Sequence, residues 1–286
     1  MVLAKLIKHS IGGGVILISL AAAGTAQAQP VPVNLNTWTA ESYLSVPGFP
    51  NGVWNVSPGG NSVTQAQNGQ PTFFYSDFNA LNTEVSGKVR ANGSGDDDFI
   101  GFALGFQPGD STNNTADYLL VDWKRGTQDF NFGGNSTPGS TAFAGLAVSL
   151  VTGIPTADEF WGHVDFPQNP NGGLTQLARG TTLGSTGWVI GQEYEFDFVF
   201  TPTNLQVFVD GNLELNINGT FNNGRLAFYN FSQANVTYSA FEVKDIPPEP
   251  PTSTPEPSTI LGLGVLGFGA FCQRKLSQGK KSKQDN

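Results

Sequence analysis

Glu193-Tyr194-Glu195-Phe196-Asp197-Phe198-Val199-Phe200 alternates acidic and aromatic residues, and two more runs, Asn204–Val209 and residues 212–217, follow it around Asp210-Gly211. Successive side chains of a strand point to opposite faces. The octet therefore turns Tyr194, Phe196 and Phe198 toward a core and Glu193, Glu195 and Asp197 toward a polar side. Asp-Gly between two such runs is a strong hairpin signal, because the turn that matches strand twist needs positive φ at both central residues. The reading that follows is antiparallel β.

Working outward, residues 83–90 alternate polar with small or apolar residues and read as a half-buried strand. Residues 99–106 and 118–124 are dense enough in apolar residues to be central strands, and 145–150, 224–231 and 236–243 complete the set. Residues 34–56 hold Trp38, Tyr43 and Trp54 among Gly and Pro, which suits an edge strand and a covering loop. Residues 151–183, punctuated by Pro155, Pro167, Pro170 and Gly172-Gly173, read as a long irregular connection of the kind that carries function. Long helical periodicity is missing. Ten or so strands in one domain make an all-β, two-sheet antiparallel sandwich.

The ends of the chain read differently. Lys5 and Lys8, an apolar run over 11–23 and Ala26-Gln27-Ala28 form a secretory signal peptide over residues 1–28, so the expected place of work is outside the cytoplasm. Residues 247–257 are a stiff, Pro-rich linker. Beyond it come Ser258-Thr259, twelve apolar residues (260–271) that include four glycines, and a basic tip with Lys280, Lys281 and Lys283. Twelve residues fall short of the roughly 20 that cross a bilayer as a helix. The order Pro255-Glu256-Pro257, short apolar segment, basic tip resembles the PEP-CTERM sorting signal of exported bacterial proteins. That resemblance implies an exosortase-type processing partner and transient inner-membrane retention before release to, or attachment at, the cell surface.

Between these signals, residues 29–246 carry seven Lys and Arg against twenty Asp and Glu, a net of −13. Such a surface excludes nucleic acid, which needs a basic face, and suits hard cations or neutral sugars. The single cysteine, Cys272, lies in the tail, so there is no intramolecular disulfide.

Asp96-Asp97-Asp98 stands at the mouth of the 99–106 strand. Adjacent carboxylates repel by roughly 1 kcal/mol per pair even in water, so a positive charge belongs nearby. Two candidates are open: Ca²⁺, with its six to eight oxygen ligands, or Lys124-Arg125, which an antiparallel return strand brings back beside Asp98.

With these residues laid out, the domain resembles the thrombospondin C-terminal domain, a jelly-roll sandwich of the lectin type. The matching blocks are Asp77-Phe78-Asn79-Ala80, Asp96-Asp97-Asp98-Phe99-Ile100-Gly101-Phe102, Gly105-Phe106-Gln107, Trp123-Lys124, Gly145-Leu146, Gly224-Arg225-Leu226, Phe231-Ser232-Gln233 and Tyr238-Ser239. The resemblance implies an extracellular, calcium-binding adhesion module with Asp96, Asp97 and Asp98 as ligands and Asp77 or Asn79 assisting from the preceding loop. The family's terminal cysteine is replaced here by Val243.

Other chemistry is weaker. Trp161 and Phe166 beside Asn169 and Asn171 are the candidate glycan contact, since flat aromatics next to amides suit a sugar face; the alternative is aromatic packing under a loop. Residues 110–117 read as a solvated turn. His163 reads as a surface or packing histidine, with no Gly-x-Ser-x-Gly elbow to make it catalytic. Glu193, Glu195 and Asp197 are spaced for glycosidase chemistry, yet their alternation with aromatics already explains them. The expected function is a calcium-binding, surface-directed, lectin-like adhesion or matrix-contact module that binds extracellular polysaccharide or a surface glycoconjugate. It is not read as an enzyme; the alternative is a jelly-roll glycoside hydrolase or lyase acting on exopolysaccharide.

Overall fold

The computed structural model describes residues 28–93, 95–133 and 138–247. In chain order its strands are β1 (Val31–Pro32), β2 (Thr39–Ser42), β3 (Trp54–Val56), β4 (Ser62–Gln65), β5 (Thr72–Asn79), β6 (Thr83–Ala91), β7 (Phe99–Phe106), β8 (Asp117–Lys124), β9 (Gln128–Phe130), β10 (Ser140–Ala142), β11 (Gly145–Gly153), β12 (Gly172–Arg179), β13 (Glu193–Phe200), β14 (Asn204–Val209), β15 (Asn212–Asn218), β16 (Arg225–Phe231) and β17 (Val236–Asp245). One short helix, α1 (Ala157–Gly162), lies between β11 and β12.

One large sheet runs β15-β14-β13-β6-β17-β4-β3, with β1 also on β17, the other runs β12-β11-β8-β7-β16-β5-β2, and β9 and β10 form a separate two-stranded ribbon. Every pairing among the described residues is antiparallel. The domain is the expected two-sheet jelly-roll sandwich. Asp210 (φ 49°) and Gly211 (φ 76°) both take the left-handed conformation that their hairpin requires, with Val209 opposite Asn212. Tyr194, Phe196, Phe198 and Phe200 of β13 are buried, and Glu193 and Glu195 are exposed, as the alternation implies.

The second sheet differs from a simple sandwich layer because it is covered on both faces. All eight residues of β7 are buried. Ile100, Phe102 and Leu104 of β7, with Leu119, Val121 and Trp123 of β8, pack against Phe196, Phe198 and Tyr238 of the opposite sheet. Phe99, Ala103 and Phe106, with Tyr118 and Leu120, turn the other way into a second cluster with Tyr43, Phe160, Trp161 and Leu174. Full burial of each large apolar side chain contributes about 1.5–3 kcal/mol, so the covering layer is part of the core. Gly101 has to be glycine: a Cβ there would lie 2.3 Å from the Val121 carbonyl oxygen.

That cover corrects two expectations. Residues 151–183 are not one irregular connection: β11 continues to Gly153, α1 follows, and β12 pairs with β11 as an edge strand. Thr156 and Glu159 cap α1 reciprocally through Glu159 N to Thr156 Oγ1 (3.2 Å) and Thr156 N to Glu159 Oε2 (2.6 Å). The loop at 110–117 is solvated at Thr112, Asn114, Thr115 and Asp117 but anchored at its start, where Asp110 and Ser111 are buried. Asp110 is buried and its Oδ2 accepts from Gln107 N at 2.7 Å, while Glu41 of β2 accepts from Gly109 N and Ser111 N at 2.8 and 2.7 Å.

Candidate functional site

The register of β7 on β8 sets Phe99 opposite Lys124, which delivers the lysine to the loop that precedes β7. The Lys124 side chain is 0% exposed. Its Nζ donates to Asp98 Oδ1 (2.6 Å), the Asp97 carbonyl (2.9 Å), Asp97 Oδ1 (3.2 Å) and Gln128 Oε1 (3.2 Å). Two rings close the remaining side, Trp161 with its centroid 4.7 Å from Nζ and Phe99 at 5.8 Å. Asp98 is held at its backbone as well: its N–H donates to Gln233 Oε1 (3.1 Å) and its carbonyl accepts from Trp188 Nε1 (3.0 Å). Burial pushes the Asp98 carboxyl above the usual carboxylate range, and the Lys124 ammonium works against that rise. Asp96 accepts from Asn68 Nδ2 at 2.7 Å, and its carbonyl accepts from Arg125 Nη1 at 3.2 Å.

The three carboxylates do converge, each offering an oxygen within 4.8 Å of the others. The expected calcium nevertheless does not fit this donor set. Ca²⁺ needs six to eight oxygens at 2.3–2.6 Å, whereas the Asp97 carbonyl already accepts from Lys124 Nζ, Arg125 N and Gly126 N. A divalent ion about 4 Å from the buried ammonium would be repelled by about 8 kcal/mol at an effective dielectric constant near 20. Asp77 cannot assist. It lies toward the end of β5 where Asn79 sits opposite Arg225, and Arg225 is opposite Phe106, whereas Asp98 adjoins Phe99 at the other end of β7. Those ends are separated by about 23 Å at 3.3 Å per residue. The loop that does approach the cluster carries Asn68.

Beside the cluster opens a cleft of 320 Å³, lined by Val46, Phe49, Asn68, Asp98, Gln128, Phe130, Asn131, Phe132, Trp161 and Ser232. Its walls are fixed by the covering layer. Asp158 Oδ1 accepts from Phe132 N (2.9 Å), the Asp158 carbonyl accepts from Ser140 Oγ (2.5 Å), and Trp161 Nε1 donates to the Gln128 carbonyl (3.1 Å); these bonds clamp β9 and β10 to α1. On the opposite wall the buried Gln70 amide ties down the loop bearing Val46 and Phe49. It accepts from Ser45 N and Val46 N at 2.7 and 2.9 Å and donates to the Val46 and Phe49 carbonyls at 2.7 and 2.9 Å. Phe130 stands 46% exposed at the rim, edge-on to Phe132 at 4.6 Å.

Of the residues singled out for glycan contact, Trp161 lines this cleft but is only 2% exposed, as a wall packed against Phe132 and Phe231. Phe166, Asn169 and Asn171 do not line it. The Asn169 amide is used within its own loop, donating to the carbonyls of Ile154 and Gly172 and to Glu159 Oε2 at 3.1, 2.8 and 2.7 Å. His163 is a packing residue, its Nε2 3.0 Å from Asp122 Oδ2 and its ring over Phe99. Pro255, Glu256 and Pro257 lie outside the described residues. The cleft residues that sequence reasoning missed are Val46, Phe49, Asn68, Gln128, Phe130, Asn131, Phe132 and Ser232. The one available signal was the alternation of aromatic and amide side chains at Phe130-Asn131-Phe132.

Fold and site together define a two-sheet β-sandwich with a loop-walled, aromatic and amide-lined cleft at one end of its central strands. Residues 50–246 match the family model for the thrombospondin C-terminal region, and the chain belongs to that family. No curated protein matches it. Among solved structures, the carbohydrate-binding module CBM66 from Bacillus subtilis has a TM-score of 0.45 at 9% identity, over 73% of this chain and 96% of that one. The VIP36 exoplasmic/lumenal domain in its Ca²⁺/mannose-bound form has 0.44 at 12%, over 75% and 85%. The κ-carrageenase from Pseudoalteromonas carrageenovora in complex with an oligotetrasaccharide has 0.42 at 7%, over 81% and 99%.

Proposed function

We propose that this protein is a lectin-like module that binds neutral extracellular polysaccharide or a surface glycoconjugate through the Phe130 cleft and serves adhesion or matrix contact. The observation that carries the reading is the composition of the cleft. An exposed ring and apolar walls offer a face to the C–H side of a sugar, and Asn68, Gln128, Asn131 and Ser232 offer donors and acceptors to its hydroxyls. The acidic surface disfavours uronates and sulfated sugars. This reading needs no calcium, because Lys124 places a positive charge between Asp97 and Asp98. Export, exosortase-type processing near Pro255, Glu256 and Pro257, and transient inner-membrane retention belong to the same proposal and rest on the terminal segments of the sequence.

A glycoside hydrolase would need two carboxylates about 5–9.5 Å apart across the scissile bond. Asp98 is the one acid among the described residues lining the cleft, and it is engaged by Lys124. Glu193 lies on the outer sheet face, paired with Lys88 at 3.0 Å. A glycan array probed with the wild-type protein and with Phe130→Ala tests the proposal. Selective retention of neutral glycans that Phe130→Ala loses supports it, and retention that Phe130→Ala leaves intact refutes the cleft as the site.

A further inference from the structure

The acidic loop receives a positive charge from within the chain, and the surroundings of that charge say what kind of cation the loop was shaped for. Four oxygens from Asp97, Asp98 and Gln128 surround Lys124 Nζ, enough to take up all three of its N–H donors. The other flank is aromatic, formed by Trp161 and Phe99. A π face attracts an ammonium but supplies no ligand to a divalent ion, which wants oxygen on every side. The Asp96 oxygens of the loop are engaged as well: Oδ2 receives Asn68 Nδ2 and Oδ1 receives the Asp97 N–H at 3.2 Å.

We infer that the Lys124 ammonium is the resident cation of this loop, taking the role that a bound metal would otherwise fill, and that it holds the cleft in shape without calcium. Lys124 arrives on a central strand whose register is set by the whole sheet, so its charge is present as soon as the chain folds. Through Gln128 Oε1 the same ammonium reaches the first residue of β9, the strand that carries Phe130 to the rim. Lys124 is thus a positioning residue that couples the acidic loop to the cleft wall. The test reads metal response and stability rather than glycan binding, so its failure is distinguishable from failure of the glycan reading.

The test uses calcium chloride alone on the purified, chelator-dialysed protein. Thermal unfolding of the wild type should be the same in millimolar calcium and in chelator. Lys124→Met should melt about 10 °C lower, and adding Asp98→Asn to it should raise the melting temperature part of the way back, a rescue of charge that loss of packing could not produce. A calcium-dependent rise in the wild type that Asp96→Asn with Asp98→Asn removes would overturn the inference. So would a folded Lys124→Met whose melting temperature falls further when Asp98→Asn is added. If Lys124→Met does not fold, terbium titration of the wild type decides. Tryptophan-sensitised emission that disappears in Asp98→Asn overturns the inference, and no such emission supports it.

Discussion

Breaking the Asp98–Lys124 pair from each side, and then from both, measures what the buried charge does for the fold. Lys124→Met keeps the volume and removes the ammonium, leaving the Asp98 carboxylate, 5% exposed, without its 2.6 Å partner. Breaking a buried pair in this way costs about 3–5 kcal/mol. Asp98→Asn should cost less, about 2–3 kcal/mol, because Lys124 keeps the Asp97 carbonyl, Asp97 Oδ1 and Gln128 Oε1. The double variant buries neither charge of the pair and should lose only about 1–3 kcal/mol, so the two single losses should exceed the double loss by about 2 kcal/mol or more. Urea unfolding at pH 7 gives all four free energies, with constant slope as the check on two-state behaviour. In a domain of this size each kcal/mol moves the melting temperature by about 2–4 °C. Losses that add within about 0.5 kcal/mol would mean that the two groups do not share a charge balance, and the account of the acidic loop would fail.

Phe130→Ala should lower glycan retention at least about tenfold, a loss of about 1.4 kcal/mol, with an unchanged melting temperature because the ring is half exposed; affinity chromatography and thermal scanning measure the two effects. Replacing Glu193, Glu195 and Asp197 together by alanine should leave glycan binding intact, and loss of polysaccharide turnover in that variant would favour the hydrolase reading. Glu214→Gln should destabilise by about 1.5–3 kcal/mol, since the carboxylate accepts from Thr182 N (2.8 Å), Leu183 N (3.0 Å) and Thr182 Oγ1. Burial tends to raise the Glu214 carboxyl, but those donors outweigh it and hold the carboxyl below its ordinary value. Its contribution is therefore full above the unfolded-chain value of about 4.3 and is lost as pH falls through the lower folded one. Glu214→Gln should accordingly show less of the acid-side loss of stability in pH-dependent unfolding.

Local pattern carried far where one physical effect dominated. The β13 octet alternates because each aromatic residue is buried while Glu193 and Glu195 are solvated and Asp197 is half-buried, and Asp210-Gly211 turns because a tight hairpin demands positive φ. Neither depends on a distant residue. The covering layer was harder to see. Residues 172–179 do not alternate cleanly, since β12 is an edge strand paired across a bulge at Val148/Ser149. The six residues of α1 are too few for helical periodicity, and only the Thr156/Glu159 capping box marks it. Asp77 could not be placed from its neighbours because strand register decides which end of a sheet a residue occupies, and register is a property of the pairing rather than of the strand.

What the amino-acid order determined alone was a class: alternation and turn chemistry make an all-β antiparallel sandwich, and twenty acids against seven bases over residues 29–246 argue against a nucleic-acid surface. It also left two neutralisers for Asp96, Asp97 and Asp98. Tertiary structure places one of them, because antiparallel pairing of β7 with β8 carries Lys124 into the loop and α1 lays Trp161 over it. The cleft too exists only in the folded chain, since its aromatic and amide walls come from segments separated by up to 186 positions, from Val46 to Ser232. Backbone preference acts over a few residues, whereas charge balance and cavity shape depend on which distant side chains packing brings within a few ångströms.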